Sequence, residues 1–105
     1  MNINLLEKYI LFIKTIFDKN IVFPESTAFI FGSRATGSNT DTSDIDIALK
    51  GDRLTFGKIS LIKEDLENSS IPYKIDLVNY SEATEKIKNA IDKEGVLIWT
   101  KQGKK

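Results

Sequence analysis

Two reactive residue types are missing from this sequence of 105 residues, which contains no cysteine and no histidine. Without cysteine, the chain has no disulfide framework, no thiol nucleophile and no cysteine-ligated zinc or iron–sulfur centre. Without histidine, it has no imidazole base, no serine–histidine triad and no histidine metal ligand. Any catalysis by this chain therefore depends on carboxylates, hydroxyls, lysine, arginine and hard metal ions.

The sequence also lacks a net charge and a long apolar run. Lysine and arginine together number 15, as do aspartate and glutamate, so the formal net charge is zero. This balance argues against nucleic-acid binding through bulk charge, which is driven by neutralisation of phosphates. The apolar stretch 9–13 is too short to span a bilayer, and no targeting signal is recognisable. We therefore expect a cytoplasmic protein with no membrane and no nucleic acid as direct partner.

The patterned segments that are present predict a single domain, 1–105, of the α/β (α+β) class, with a small mixed β-sheet flanked by helices. Residues with helical or strand periodicity alternate along the chain. Helices are predicted over 3–18, 54–68 and 81–93, and strands over 27–33, 44–49, 73–78 and 96–99. The first helix carries two adjacent apolar stripes, so one stripe either packs in the core or faces a partner protein.

Three aspartates lie on two of the predicted strands, 44–49 and 73–78. Asp44 and Asp46 are two residues apart on one strand, so both carboxylates point to the same face. Asp76 stands in the otherwise apolar strand 73–78, where an uncompensated carboxylate is costly. If the two strands are neighbours, the three carboxylates converge. Such a set suits Mg²⁺ and is what a two-metal phosphoryl- or nucleotidyl-transfer site needs.

A Gly-Ser turn precedes these aspartates. Gly32 permits close approach of the backbone to a ligand, and Ser33 offers a hydroxyl and an N–H group. If a short helix begins at Arg34, its N–H groups would favour a phosphate. The Arg34 side chain itself fits a phosphate or a surface carboxylate equally well. The turn is not a Walker A loop, because the second glycine is not followed by Lys-Ser/Thr.

The order Gly32-Ser33, ten residues, Asp44-x-Asp46 and a later strand aspartate resembles the pattern of the DNA polymerase β-like nucleotidyltransferase superfamily. The short length, the stretch Gly32–Gly37 and the ending Glu94–Trp99 are similar to its minimal nucleotidyltransferase (MNT) branch. This resemblance covers nearly the whole chain, and it implies the polymerase β-like fold and nucleotidyl transfer from ATP.

The same resemblance implies a role for each motif residue. Gly32 and Ser33 would hold the nucleotide triphosphate. Arg34 is a further nucleotide-binding candidate because of its place directly after this turn, and not because of the resemblance. Asp44 and Asp46 would bind both of two Mg²⁺ ions. Asp76 would bind one of them and act as base for the incoming hydroxyl.

The resemblance also implies a protein partner. Larger members carry extra domains for the acceptor, and this chain has no room for one. Minimal members are commonly encoded beside a helical HEPN-domain protein, and the MNT antitoxin transfers AMP from ATP to a tyrosine of the HEPN toxin. Two alternatives stay open: a non-catalytic antitoxin that masks its partner, and a nucleotidyltransferase that acts on a small molecule.

Overall fold

The computed structural model describes residues 7–21, 25–37 and 44–101, and helices alternate with strands along them. The elements are α1 (Glu7–Asn20), β1 (Thr27–Phe31), α2 (Ser33–Thr36), β2 (Ile45–Lys50), α3 (Phe56–Glu67), β3 (Ile75–Asn79), a 3₁₀-helix (Tyr80–Glu82), α4 (Glu85–Glu94) and β4 (Val96–Thr100). No helix within these described ranges is long and apolar enough to cross a membrane. The predicted α/β order is confirmed.

The four strands form one mixed sheet in the order β3-β2-β1-β4. β1 is antiparallel to both β2 and β4, whereas β2 and β3 are parallel and are joined through α3. A helix is the usual connection between parallel neighbours, because a tight turn cannot join them. This topology brings the end of β1 and the starts of β2 and β3 to the same edge of the sheet.

Helices α1 and α3 cover one face of the sheet, which we call the α1/α3 face. Ile13 and Phe17 of α1 and Ile62 of α3 are fully buried there, and they belong to the same core cluster as Ile30 and Ile47. Ile30 comes from the continuous apolar run of β1, and Ile47 comes from β2, where residues 45, 47 and 49 are apolar on this face. This cluster is the main hydrophobic core.

The opposite face, which we call the α4 face, has a smaller apolar cluster. Ile91 of α4 packs there with Phe31 of β1 and Ala48 of β2. Because side chains alternate along a strand, Asp46 lies on this face, two residues before Ala48. The α4 face is therefore apolar in its middle and carries a carboxylate towards one end.

Several element boundaries differ from those predicted. β1 ends at Phe31 because Gly32, with a φ of 78°, turns the chain into α2. The helix predicted over 81–93 is divided into the 3₁₀-helix and α4, since the Thr84 hydroxyl accepts the Ile87 N–H at 3.3 Å and caps a new helix. A polar loop is predicted over 33–43, and its residues 38–43 lie outside the described residues. So does the start predicted for the first helix.

The two stripes predicted on the first helix differ in burial. The first stripe is Leu6, Ile10, Ile13 and Phe17, of which Ile13 and Phe17 are fully buried. The second stripe is Leu5, Tyr9, Phe12 and Ile16; Phe12 is 53% exposed, whereas Tyr9 and Ile16 are partly buried against the main core. Leu11 beside it is 64% exposed. The stripe residues Leu5 and Leu6 lie outside the described residues. The core role of one stripe is confirmed, and a partner role for the exposed apolar side chains stays a prediction.

Truncation of Ile47 to alanine should lower the free energy of unfolding by about 3 kcal/mol, because the side chain is fully buried and the truncation leaves a cavity. Urea denaturation measures the change. Leu97→Ala on β4 is the matched control, because Leu97 is 54% exposed and should lose less than about 1 kcal/mol. Equal losses in the two variants would contradict the assignment of the α1/α3 face as the main core.

Candidate active site

The sheet register brings two of the predicted site aspartates side by side. Asp46 of β2 is paired with Asp76 of β3 on one side and with Phe31 of β1 on the other. Residues paired across neighbouring strands project to the same face, which here is the α4 face. Asp44 directly precedes β2, two residues before Asp46. The structure thus places all three predicted carboxylates at one edge of the sheet.

The charges of these aspartates interact. Partial burial raises the pKa of the Asp46 carboxyl above its usual value, and the negative charges of Asp76 and Asp44 raise it further. Asp46 is half-buried, whereas Asp44 and Asp76 are exposed. A carboxylate held beside two others is unfavourable in the absence of a cation. A perturbed group of this kind, set beside like charges, is typical of functional sites.

The donor set suits Mg²⁺ in an open site. In the part of the chain that the structure describes, no group of three or more acidic side chains is arranged so that it could hold a metal ion by itself. The available donors are carboxylate oxygens, two of them on exposed side chains. Mg²⁺ prefers such hard oxygen ligands, and it usually retains water or substrate phosphate in its remaining positions. The carboxylates of Asp44, Asp46 and Asp76 are thus the chemical type of ligand that Mg²⁺ prefers, and water and a phosphate substrate would have to supply the remaining ligands.

Gly32 lies directly against Asp46. Its backbone angles, φ 78° and ψ −151°, belong to a region that is essentially restricted to glycine. A Cβ atom at this position would stand 2.6 Å from the Asp46 Oδ2 atom. The Gly32 carbonyl accepts the N–H groups of Ala35 at 3.0 Å and Thr36 at 3.1 Å, which starts α2 at Ser33. The predicted Gly-Ser turn is thus adjacent to the predicted carboxylates.

Arg34 occupies a buried position in this turn. Only 5% of its surface is exposed, and its guanidinium carbon lies 4.7 Å from the centre of the Tyr73 ring. The nucleotide contact predicted for Arg34 stays a prediction. Tyr73 was not singled out from the sequence, and no local pattern indicates it, because the contact joins α2 to the segment before β3.

A surface cavity of about 960 Å³ lies away from this site. Its lining includes Lys50, which is four residues after Asp46 on β2, a distance of about 13 Å at the usual rise of a strand. Neither the three aspartates nor Gly32, Ser33 and Arg34 contribute to its lining. The candidate site at the carboxylates could therefore not be found from cavity size, because it is open to solvent.

Comparison with known proteins agrees with this geometry. Residues 12–104 match the family model described as "Polymerase beta, Nucleotidyltransferase". The chain belongs to this nucleotidyltransferase family. A curated relative, "Probable protein adenylyltransferase MntA" of Haemophilus influenzae, is 31% identical over 91 residues, which is 86% of this chain and 78% of the relative. The resemblance to minimal nucleotidyltransferases is thereby confirmed, and this nucleotidyltransferase is similar to MntA.

Solved structures of toxin–antitoxin complexes have the same fold. A toxin–antitoxin crystal structure with AMP-PNP is 27% identical and superposes with a TM-score of 0.66 over 84% of this chain and 70% of that chain. The MNT antitoxin complexed with a tri-AMPylated HEPN toxin of Shewanella oneidensis is 24% identical, with a TM-score of 0.63 over 92% of this chain and 71% of that chain. At this lower identity, the second likeness shows the fold alone.

Proposed function

We propose that this nucleotidyltransferase is an antitoxin that transfers AMP from ATP to a hydroxyl group of a HEPN-domain toxin. The observation that carries the proposal is the register pairing of Asp46 with Asp76, beside a glycine turn that contacts Asp46. Paired carboxylates that can hold metal ions beside a phosphate are what two-metal nucleotidyl transfer requires. The relative named as a protein adenylyltransferase supports the choice of a protein acceptor.

The carboxylates of Asp44, Asp46 and Asp76 would hold Mg²⁺. When bound, Mg²⁺ neutralises charge on the phosphates and on the leaving group. The raised pKa of Asp46 supports this assignment, because a bound cation stabilises the ionised carboxylate against both causes of the rise, which are burial and then the charges of Asp76 and Asp44. In the same proposal, Gly32 and Ser33 hold the triphosphate, because a residue without a Cβ lets the backbone lie close to the Asp46 carboxylate and to a bound phosphate.

The chemical step is a displacement at the α-phosphorus of ATP. The acceptor hydroxyl oxygen forms a bond to this phosphorus, and the bond from the α-phosphorus to the oxygen that bridges to the β-phosphate breaks. Pyrophosphate leaves, and the Asp76 carboxylate accepts the hydroxyl proton. Asp76 is suited to this role because it is exposed, so an acceptor can reach it.

A helical HEPN partner is supported by the fold shared with antitoxins from toxin–antitoxin complexes. On this chain, Leu11 and Phe12 of α1 are exposed apolar side chains that could contact such a partner. Assembly with the partner in the cytoplasm, where ATP is abundant, belongs to the same proposal.

The proposal predicts Mg²⁺-dependent labelling of the partner by ATP that carries ³²P in its α-phosphate. The chain is incubated with the HEPN-domain protein that we expect to be encoded beside it, together with an EDTA control and the Asp44→Ala/Asp46→Ala double mutant. We expect label on the partner only with Mg²⁺ and intact aspartates, because those side chains would hold the metal.

The other outcomes distinguish the alternatives. A stable complex without label would contradict transfer and favour an antitoxin that masks its toxin. The absence of both label and complex would contradict the protein partner and direct the search to small-molecule acceptors.

A further inference from the structure

Arg34 is a buried charged side chain that packs against an aromatic ring. It is buried, and its guanidinium carbon lies 4.7 Å from the centroid of the Tyr73 ring. The Tyr73 ring in turn meets the Tyr9 ring of α1 edge-on, with centroids 5.6 Å apart and planes at 75°. We call these three side chains the Arg34 stack. Burial of a charge is costly unless it is compensated, and cation–π contact with Tyr73 is one compensation.

The Arg34 stack joins two segments that form the site. Arg34 follows the Gly32-Ser33 turn directly. Tyr73 lies two residues before β3, and the Ile45 N–H at the start of β2 donates to the Lys74 carbonyl at 2.9 Å. The segment that contains Tyr73 is therefore attached to the strands that carry Asp46 and Asp76. The stack therefore connects the Gly32-Ser33 turn to the same segment that is hydrogen-bonded to the strand of Asp46.

We propose that Arg34 is a positioning residue, which holds the Gly32-Ser33 turn at a fixed distance from Asp46 and Asp76 through its stack on Tyr73. This inference rests on the proposed nucleotidyl transfer. It assigns Arg34 an indirect role, because the side chain is buried and its guanidinium packs on the Tyr73 ring. A small displacement of the turn would weaken the binding of the triphosphate, since alignment of reacting groups depends on sub-ångström placement.

Two substitutions test the stack. Arg34→Lys keeps the positive charge but removes the planar group, and Tyr73→Leu removes the ring. We expect both to raise the KM for ATP about tenfold with a smaller change in kcat, and to weaken AMP-PNP binding measured by calorimetry to a similar extent. Tyr73→Phe keeps the ring, so its KM for ATP and its affinity for AMP-PNP should stay within about twofold of the wild-type values.

The matched control is Tyr80→Leu. It removes a similar cation–π contact, in which the Lys50 Nζ atom lies 4.4 Å from the Tyr80 ring centroid, at the other end of the sheet. We expect it to lower the melting temperature without changing the KM for ATP. This control separates a specific effect on the turn from general destabilisation.

Two outcomes would overturn the inference, and a third would overturn only the proposed function. Wild-type KM and AMP-PNP affinity in Arg34→Lys would show that the stack does not position the turn, and this variant decides the question if Tyr73→Leu does not fold. A raised KM in Arg34→Lys with an unchanged KM in a folded Tyr73→Leu would assign Arg34 direct contact with the nucleotide. If wild-type protein transfers no AMP, the proposed function fails, and AMP-PNP affinity of the same variants still tests the stack.

Discussion

Replacement of Asp46 by asparagine should reduce nucleotidyl transfer at least 1,000-fold, a loss of about 4 kcal/mol or more in transition-state stabilisation. The reason is that Asp46 lies at the centre of the carboxylate group, paired with Asp76 and in contact with the Gly32 turn. Asparagine has nearly the same shape but lacks the negative charge that would bind Mg²⁺. Transfer is measured as label released from ATP or attached to the acceptor.

The same substitution should have the opposite effect on stability in metal-free buffer. The pKa of Asp46 is raised in the folded state, so the folded chain binds this proton more tightly than the unfolded chain. Ionised Asp46 therefore destabilises the fold at neutral pH, and this cost disappears as the pH falls through the folded pKa. We expect Asp46→Asn to be more stable than wild type at pH 7 in EDTA, with the difference shrinking towards acidic pH.

Asp52→Asn is the control for both measurements, because Asp52 is exposed and lies near the opposite end of the sheet. It should retain wild-type transfer and should not show the pH-dependent gain in stability. Transfer by Asp46→Asn within tenfold of wild type would contradict the metal assignment. A lower stability of Asp46→Asn at neutral pH would contradict the electrostatic interpretation of the site.

Replacement of Gly32 by alanine should lower transfer about 100-fold and destabilise the fold by about 2 kcal/mol. The backbone angles of Gly32 disfavour any side chain, and the new Cβ would stand 2.6 Å from the Asp46 carboxylate oxygen. The carboxylate can swing away, but it then leaves its place beside Asp76. Melting curves and initial rates measure the two effects separately.

Gly57→Ala provides a matched control on α3. Nothing lies within 4 Å of a Cβ atom at Gly57, and the residue is exposed on a helix. Alanine should stabilise the chain there by about 0.5 kcal/mol without changing transfer, because alanine favours helical backbone. A harmless Gly32→Ala substitution would contradict the close approach of the turn to Asp46.

Much of the sheet and the shared face of Asp44 and Asp46 could be predicted, because both follow from local patterns. The convergence with Asp76 was predicted only if the two strands are neighbours, which local patterns do not determine. Strand alternation determines which side chains share a face, and the short polar connection between 33 and 43 favours antiparallel neighbours. The division of the predicted helix at Thr84 could also have been found, since threonine is a common N-cap.

The Arg34 stack could not be predicted in this way. The three side chains come from α1, α2 and the segment before β3, and no spacing in the sequence relates them. Such contacts depend on how helices are placed on the sheet, which periodicity does not specify. For the same reason, the sequence did not indicate where α4 packs on the sheet, or that a residue of α4 would line the distant cavity.

The pairing of β2 with β3 has a consequence for folding. It is parallel and spans the whole of α3, so it forms through a larger chain loop than the antiparallel pairing of β1 with β2. Contacts between residues distant in sequence are slow to form. Because Asp76 joins Asp46 only in this pairing, no early hairpin-like intermediate contains the complete carboxylate group. Catalytic competence is therefore acquired only when contacts less local than the β1–β2 pairing have formed, although the β1–β4 pairing spans still more of the chain.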